Sequence, residues 1–273
     1  MKRTLALGPR MKIKHYIVTY KNDPMLAQAI ESIFRTDTDH ERQVFVIANH
    51  SADRYEGPHP VVFLRNETRP DFSTGHLSRN WNQALIAGFV DLRNPSSDLL
   101  ILSQNDCIFA PDYLEPLVAN HEKYDLVTYG AGDSCISYSA AAVRRIGLWD
   151  ERFCNIGYQE ADYFLRAAKY HGPRVSINDG YHGRLYNALD TVENVITSTP
   201  SGFERNDASH IESSQYHRQS RNFFAAKWGV DYKPQFWGAD FLKAEIKLNG
   251  PIFYPYFENA IETLQEQKYL AFF

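Results

Sequence analysis

From residue 13 onward, short apolar runs alternate with amphipathic stretches. We interpret the apolar runs as strands at residues 13–19, 43–48, 61–65, 98–103 and 126–129. Apolar residues at helical spacing predict helices at residues 24–34, 77–90 and 111–121. Alternating strands and helices are typical of an α/β fold with a mainly parallel central sheet.

Polar residues at the ends of these strands are the first candidates for a binding site, because such sheets bind ligands at the carboxyl ends of their strands. The segments concerned are Thr19-Tyr20, Asn49-His50-Ser51 and Gln104-Asn105-Asp106. The run before Gln104 is almost entirely apolar, which is typical of a parallel strand buried on both faces.

Composition places the chain among ordinary globular proteins, with 273 residues, 44% apolar residues and a formal charge of −4. The mildly acidic charge gives no reason to expect nucleic acid binding. No apolar run approaches the roughly 20 residues of a membrane span, and the basic N-terminus lacks the apolar core of a signal peptide. Three widely spaced cysteines indicate neither a disulfide framework nor a zinc site, so we expect a cytoplasmic setting.

Asp106 closes the run DLLILSQND, in which a hydrophobic strand carries a carboxylate to its end. Carboxylate oxygen is a preferred ligand of hard divalent cations. A lone aspartate after a strand also commonly caps a turn, so the residue types alone leave both interpretations open.

A second acidic segment covers residues 146–166. Glu160 opens a predicted helix at residues 159–166, in which Asp162 and Arg166 are one turn apart. Acidic residues favour helix N-termini electrostatically, which accounts for one or two of them. The preceding loop also carries three aromatic residues that suggest the rim of a pocket: Trp149, Phe153 and Tyr158. For Trp149, packing in the core is an equal alternative.

The most specific features are five segments that follow one another along the chain: YIVTYKNDPMLAQAIESI, VFVIANHSAD, LLILSQNDCIFAPDYL, IGLWDERFCNIGYQEADYFLRAAKYHG and FFAAKWG. Together they resemble the inverting GT-A glycosyltransferases of the family-two type, over roughly residues 13–230. The resemblance implies an α/β fold of GT-A type, with helices flanking a mainly parallel sheet and a helical, aromatic C-terminal extension.

The same resemblance implies a domain organisation. Residues 12–235 would form the GT-A domain, with a nucleotide-sugar half at 12–130 and an acceptor half at 131–235. Residues 236–273 would form the aromatic-rich extension, which is a candidate contact between copies of the chain.

Site roles follow from the resemblance, position by position. Glu160 would be the general base, and Asp106 would bind Mn²⁺ or Mg²⁺ with help from His210, for which His182 and His217 are alternatives. The nucleotide-sugar would be bound by Thr19, Tyr20, Asn49, Asp53, Asn82, Asn105 and Asp106. The acceptor would be bound by Trp149, Asp150, Glu151 and Asp162.

Gln104 is the one departure from the family pattern, because it replaces the first acid of the Asp-x-Asp motif. A divalent ion held by one carboxylate, a diphosphate and waters is chemically reasonable for Mg²⁺, which keeps several waters. The replacement therefore does not predict an inactive protein.

The resemblance implies metal-assisted sugar transfer, with inversion, from a UDP-, GDP- or dTDP-linked donor to a glycan or other hydroxyl acceptor. One alternative is a non-catalytic protein that kept the fold and binds carbohydrate or nucleotide-sugar. A nucleotidyltransferase is disfavoured, because the segment TYKNDPM lacks the glycine-rich phosphate loop such an enzyme normally has.

Overall fold

Strands and helices were assigned in a computed structural model that describes residues 9–66, 77–129, 133–153, 158–170, 175–176, 192–194 and 207–229. The strands in these ranges are β1 Lys12–Thr19, β2 Glu41–Ala48, β3 Val62–Arg65, β4 Leu99–Gln104, β5 Cys107–Phe109, β6 Leu126–Tyr129, β7 Cys135–Tyr138, β8 Val175–Ser176 and β9 Val192–Asn194. The helices are α1 Asp23–Phe34, α2 Leu77–Phe89, α3 Leu114–Asn120, α4 Ala140–Ile146, α5 Tyr158–Tyr170 and α6 Asp207–Trp228.

Seven of the strands form one sheet in the order β3-β2-β1-β4-β7-β6-β8. Strands β1 to β4 pair in parallel, β6 pairs in parallel with β8, and β7 runs antiparallel to both its neighbours. The predicted α/β fold with a mainly parallel sheet is confirmed. A separate antiparallel pair joins β5 to β9.

Helices cover both faces of the sheet, which explains the apolar run of β4. Leu100 and Leu102 face the core that includes residues of α2, α4 and α5. Leu99 and Ile101 face the opposite core, against α1 and α3. A strand with apolar neighbours on both faces gains no stability from alternating polar residues, so its sequence is continuously apolar.

Helix α1 forms for the reasons that its sequence indicates. The Asn22 side chain accepts a hydrogen bond from the Met25 backbone N–H (3.2 Å), which satisfies one of the unpaired donors of the first turn. Leu26, Ile30 and Ile33 recur at helical spacing and are fully buried. Helix α3 differs from its prediction, because residues 111 and 112 form a turn and the helix begins at Leu114.

In the ranges given above, no helix is both long and apolar enough to cross a membrane. The predicted extension at residues 236–273 lies outside the described residues. Near the end of the described chain, an aromatic cluster contains Phe223, Phe224 and Trp228 of α6, and the Phe153 ring lies tilted against the Phe223 ring at a centroid distance of 4.7 Å.

Gly88 is the point of closest approach between α2 and the sheet. A Cβ atom built at Gly88 would lie 2.6 Å from both Cδ atoms of Leu100, which is fully buried. Gly88→Ala should therefore lower the free energy of unfolding by about 1–3 kcal/mol through overpacking. This loss should outweigh the helix propensity of alanine, which favours it over glycine by about 1 kcal/mol.

Denaturant unfolding of a double-mutant cycle checks the cause. Leu100→Val removes the methyl groups that would clash, so the double variant should lose less stability than the two single variants added together. Strict additivity, or a stabilised Gly88→Ala protein, would contradict the close packing.

Candidate functional site

The carboxyl ends of β1, β2 and β4 meet at one edge of the sheet, as the sequence predicts. Thr19 is paired in register with Ala48, and Val18 with Gln104. The Asn105 side-chain N–H donates to Thr19 Oγ1 at 3.0 Å, and its backbone N–H donates to the Val18 carbonyl at 3.0 Å. Two of the predicted donor-binding residues are thus in direct contact.

Asp53 joins the loops that follow β1 and β2. Its Oδ1 accepts the Lys21 backbone N–H (2.7 Å) and its Oδ2 accepts the His50 backbone N–H (3.0 Å). Lys21 has a positive φ of 50°, so this contact holds a conformation that a lysine rarely adopts. Burial raises the pKa of Asp53, and the two backbone hydrogen bonds oppose that shift. Nucleoside contact by Asp53 stays a prediction.

Tyr20 and Asn49 border the same loops. The Tyr20 ring meets the His50 ring edge-on at 5.9 Å, and the Lys21 ammonium lies 5.0 Å from the Tyr20 ring centre. The Asn49 side-chain oxygen accepts the Asn66 amide N–H at 3.1 Å. Both predicted donor-binding residues therefore lie at the carboxyl edge of the sheet.

Asp106 lies fully buried in the turn between β4 and β5. Its carboxylate and the Asn105 amide offer oxygen ligands of the kind that Mg²⁺ and Mn²⁺ accept, and Mg²⁺ needs only one or two protein carboxylates when phosphates complete its coordination. Across the described ranges, no cluster of three or more His, Cys, Asp and Glu side chains suits a metal ion. His182 lies outside those ranges, and the side chains of His210 and His217 lie outside the described part of α6.

Asp133 is the centre of a buried polar network beside the end of β4. Its Oδ2 accepts the Trp81 indole N–H (2.9 Å) and the Gln159 amide N–H (3.3 Å), and its Oδ1 accepts the Gln104 amide N–H (2.9 Å). Ser78 donates in turn to the Gln159 side-chain oxygen at 2.9 Å. Gln104, which replaces the first acid of Asp-x-Asp, therefore donates a hydrogen bond to the carboxylate of Asp133.

Glu160 also contacts Asp133, by a hydrogen bond between the two side chains. Both residues are nearly inaccessible to solvent, with 5% of Glu160 and 1% of Asp133 exposed. Burial raises the pKa of Asp133, although the hydrogen bonds from Glu160 and Trp81 oppose the shift. Since two carboxylates cannot hydrogen-bond to each other without a proton, the pair shares one.

Asn82 holds the loop before α5 in place. Its side chain accepts the Trp149 backbone N–H (2.8 Å) and donates to the Trp149 carbonyl (3.0 Å) and to Glu151 Oε1 (2.9 Å). Arg79 donates to the other Glu151 oxygen at 3.0 Å. The Trp149 ring is fully buried and stacks on Tyr163 at 4.1 Å. Contacts of Asn82 with the donor, and of Trp149 and Glu151 with the acceptor, stay predictions.

Lys227 anchors α6 to the loop and to α5. Its ammonium lies 3.0 Å from Asp150 Oδ2 and 2.6 Å from Asp162 Oδ1, and all three residues are buried. Burial alone would raise the pKa of Asp150, but hydrogen bonds and charges from Arg152 and Lys227 outweigh it and lower that pKa.

Asp162 makes two further contacts besides Lys227. Trp228 donates its indole N–H to Asp162 Oδ1 at 3.0 Å, and Arg166 pairs with Oδ2 at 3.3 Å, one helical turn later. The Asp162–Arg166 pair confirms the spacing argument. The contacts show charge compensation at Asp150 and Asp162, while acceptor binding by either stays a prediction.

The sequence interpretation missed Asp133 and assigned no role to Gln159 or Lys227. Asp133 follows β6 and lies outside the five segments, so no pattern indicated it. Lys227 did carry a signal, because the segment FFAAKWG places a lysine and a tryptophan together.

Residues 16–205 match the family model described as Glycosyl transferase family 2. The chain belongs to this family. The match begins within β1, extends past β9 and includes Asp106, Asp133 and Glu160. Among curated protein sequences, none matches the chain significantly.

Two solved structures are similar to this family 2 glycosyltransferase to different degrees. The mannosyltransferase PcManGT from Pyrobaculum calidifontis, solved in complex with GDP-Man and Mn²⁺, is similar with a TM-score of 0.52 and 15% identity, over 87% of this chain and 69% of that chain. TarS 1-349 from S. aureus has a TM-score of 0.47 and 13% identity, over 83% of this chain and 74% of that one. At such identities, the likeness to PcManGT supports the fold alone.

Gln104 should be a poor place to restore the missing acid of Asp-x-Asp. In Gln104→Asp, a carboxylate would replace the amide donor of Asp133 and stand beside the Asp133–Glu160 pair. We expect a loss of about 1–3 kcal/mol in the free energy of unfolding, because a buried acceptor loses its donor and faces a like charge. Denaturant unfolding measures it.

The control is Gln43→Asp, the same substitution at an exposed position in β2. The double variant Gln104→Asp/Asp133→Asn should recover stability relative to Gln104→Asp, because the amide and the carboxylate exchange places. A Gln104→Asp protein as stable as the Gln43→Asp protein would contradict the network.

Proposed function

We propose that this family 2 glycosyltransferase moves a sugar from a nucleotide-diphospho-sugar to a hydroxyl acceptor with inversion, and that Glu160 is the general base. The observation that carries the proposal is the position of Glu160. It lies in the first turn of α5 and is linked through Asp133 to Gln104, at the end of β4. The proposed base is thereby connected by hydrogen bonds to the edge of the sheet at which the predicted donor-binding residues lie.

A hydroxyl nucleophile must lose its proton as it attacks the anomeric carbon. A carboxylate within hydrogen-bond reach of that hydroxyl can accept the proton. With one base and direct displacement the anomeric configuration inverts, whereas a carboxylate nucleophile would give retention through a covalent intermediate. Asp150 and Asp162 are both engaged by Lys227, which disfavours them as nucleophiles.

Asp106 is the proposed protein ligand of a divalent cation, with the Asn105 amide beside it. When bound, Mn²⁺ or Mg²⁺ would supply Lewis-acid stabilisation of the negative charge that develops on the departing diphosphate. PcManGT, a structural neighbour with the same fold, was solved with GDP-Man and Mn²⁺, which supports this cofactor class. His210 stays the proposed second ligand.

We assign the donor to residues 12–130 and the acceptor to residues 131–235. Thr19, Tyr20, Asn49 and Asp53 at the edge of the sheet would contact the nucleotide. On the acceptor side, Glu151 is the strongest candidate for direct contact, because 26% of its side chain is exposed. Trp149, Asp150 and Asp162 are buried, so we propose that they shape the acceptor side.

Glu160→Gln tests the base. The glutamine amide can still donate a hydrogen bond to Asp133, so fold and donor binding should persist. The amide cannot accept a proton, so turnover should fall by about 10²–10⁴-fold. The measurement is sugar transfer or donor hydrolysis with UDP-, GDP- and dTDP-sugars in Mn²⁺, alongside a thermal melt with and without donor.

Asp162→Asn, two residues along the same helix, is the matched control. It removes a charge partner of Lys227 and Arg166, so its main effect should be a stability loss of about 3 kcal/mol or more. A stable Asp162→Asn protein without turnover, beside an active Glu160→Gln protein, would reverse the two roles. Donor binding by the wild type without any turnover would favour the non-catalytic binding protein instead.

A further inference from the structure

We propose that Asp133 is the positioning residue of the base: it fixes the Glu160 side chain at the end of β4 through a carboxyl–carboxylate hydrogen bond. The inference rests on the proposed function, since it concerns the group that accepts the acceptor's proton. Asp133 itself is not placed against substrate, so it would act through Glu160.

The first support is the geometry of Asp133. Its oxygens receive three hydrogen bonds of 2.9–3.3 Å, from Trp81 in α2, Gln104 in β4 and Gln159 in α5. Contacts from three separate elements leave this carboxylate one orientation. A group that is fixed from three sides can in turn fix the side chain that hydrogen-bonds to it, and catalytic groups need such positioning to within a fraction of an ångström.

The second support is the presence of an acid, and not a neutral residue, at position 133. A buried aspartate is costly unless it is compensated, and among the residues that the structure describes, a tryptophan and two glutamines donate hydrogen bonds to it. If the aspartate served stability alone, an apolar or amide residue would meet the same need at lower cost. A negative charge beside Glu160, held by neutral donors, has a consequence that such residues cannot supply, because it disfavours a second negative charge.

The groups that face Asp133 come from five elements: Trp81 of α2, Gln104 of β4, Cys107 of β5, Tyr138 of β7, and Gln159 and Glu160 of α5. None of these six is a cation. Burial raises the pKa of Cys107 and of Tyr138, and the charge of Asp133 adds to both shifts. Glu160 is therefore the only other carboxyl group in this set.

This arrangement has a defined consequence for the reaction. The pair holds one proton in the free protein, and Glu160 acts as a base only after that proton is released. A like charge raises the pH at which the second member of a carboxyl pair ionises. A base with a raised pKa is also the stronger proton acceptor near neutral pH.

The experiment measures kcat and donor KM against pH for the wild type, Asp133→Asn and Asp125→Asn, using the nucleotide-sugar that the wild type turns over. Asp125 is a matched control, since it is also mostly buried but pairs with Arg145 and Ser139 at the start of β6. We expect the acid limb of kcat in the wild type to lie above the ordinary glutamate value, because the neighbouring carboxylate disfavours a second negative charge.

In Asp133→Asn the acid limb should move by about one unit or more toward lower pH, because the neighbouring charge is gone. The plateau kcat should fall at least about fivefold, because the base is weaker and less well fixed. Donor KM should stay within about twofold, since Asp133 does not contact the donor. Asp125→Asn should lose stability without moving the acid limb.

Several results would overturn the inference. A wild-type acid limb at the ordinary glutamate value would overturn the inference without any variant. This measurement therefore decides the question even if the Asp133→Asn protein fails to fold. An unmoved limb with wild-type kcat in Asp133→Asn, beside an inactive Glu160→Gln protein, overturns this inference and leaves the proposed function standing. A fully active Glu160→Gln protein overturns both.

Discussion

The buried carboxylate of Asp133 is the constraint on which the arrangement of the candidate site depends. A charge with 1% exposure is stable only if nearby groups replace the water that it has lost. Its donors come from α2, β4 and α5, so these three elements must be held in one relative position for the charge to be tolerated. The same requirement brings Glu160 to the end of β4.

In a second buried charge cluster, the carboxylates of Asp150 and Asp162 are compensated by the ammonium of Lys227. Around Lys227 two carboxylates share one ammonium, and Arg152 and Arg166 supply further positive charge. These acids pair with cations and serve to dock α6. Glu160 instead faces Asp133, which itself accepts hydrogen bonds from neutral donors. Acids of one sequence segment, residues 146–166, thereby acquire different chemistry from their surroundings alone.

Much of the fold could be predicted because its signals are local. The helical spacing of Leu26 and Ile30 and the apolar run of β4 both act over a few residues. The i,i+4 pair of Asp162 and Arg166 belongs to the same class. Strand β7 and helix α6 were missed. Strand β7 has only four residues, and one of its two partners, β4, lies far back in the chain.

The site was predictable to the extent that it follows strand ends. The sequence identified Thr19, Asn105 and Asp106 as neighbours at one edge, and Thr19 and Asn105 are indeed hydrogen-bonded. It could not identify Asp133, whose partners Trp81, Gln104 and Gln159 lie 52, 29 and 26 residues away in the chain. It also could not show why Gln104 is a glutamine, since Gln104 donates to a carboxylate in the turn before β7.

The central claim is that one carboxylate, Glu160, accepts the proton of the acceptor while the acceptor displaces the nucleoside diphosphate directly. The most direct test is the anomeric configuration of the first product formed, followed by proton NMR with the nucleotide-sugar that the protein turns over. The account predicts a product of inverted configuration from the first turnover. A product that retains the configuration of the donor would contradict it, because retention requires a different set of reacting groups.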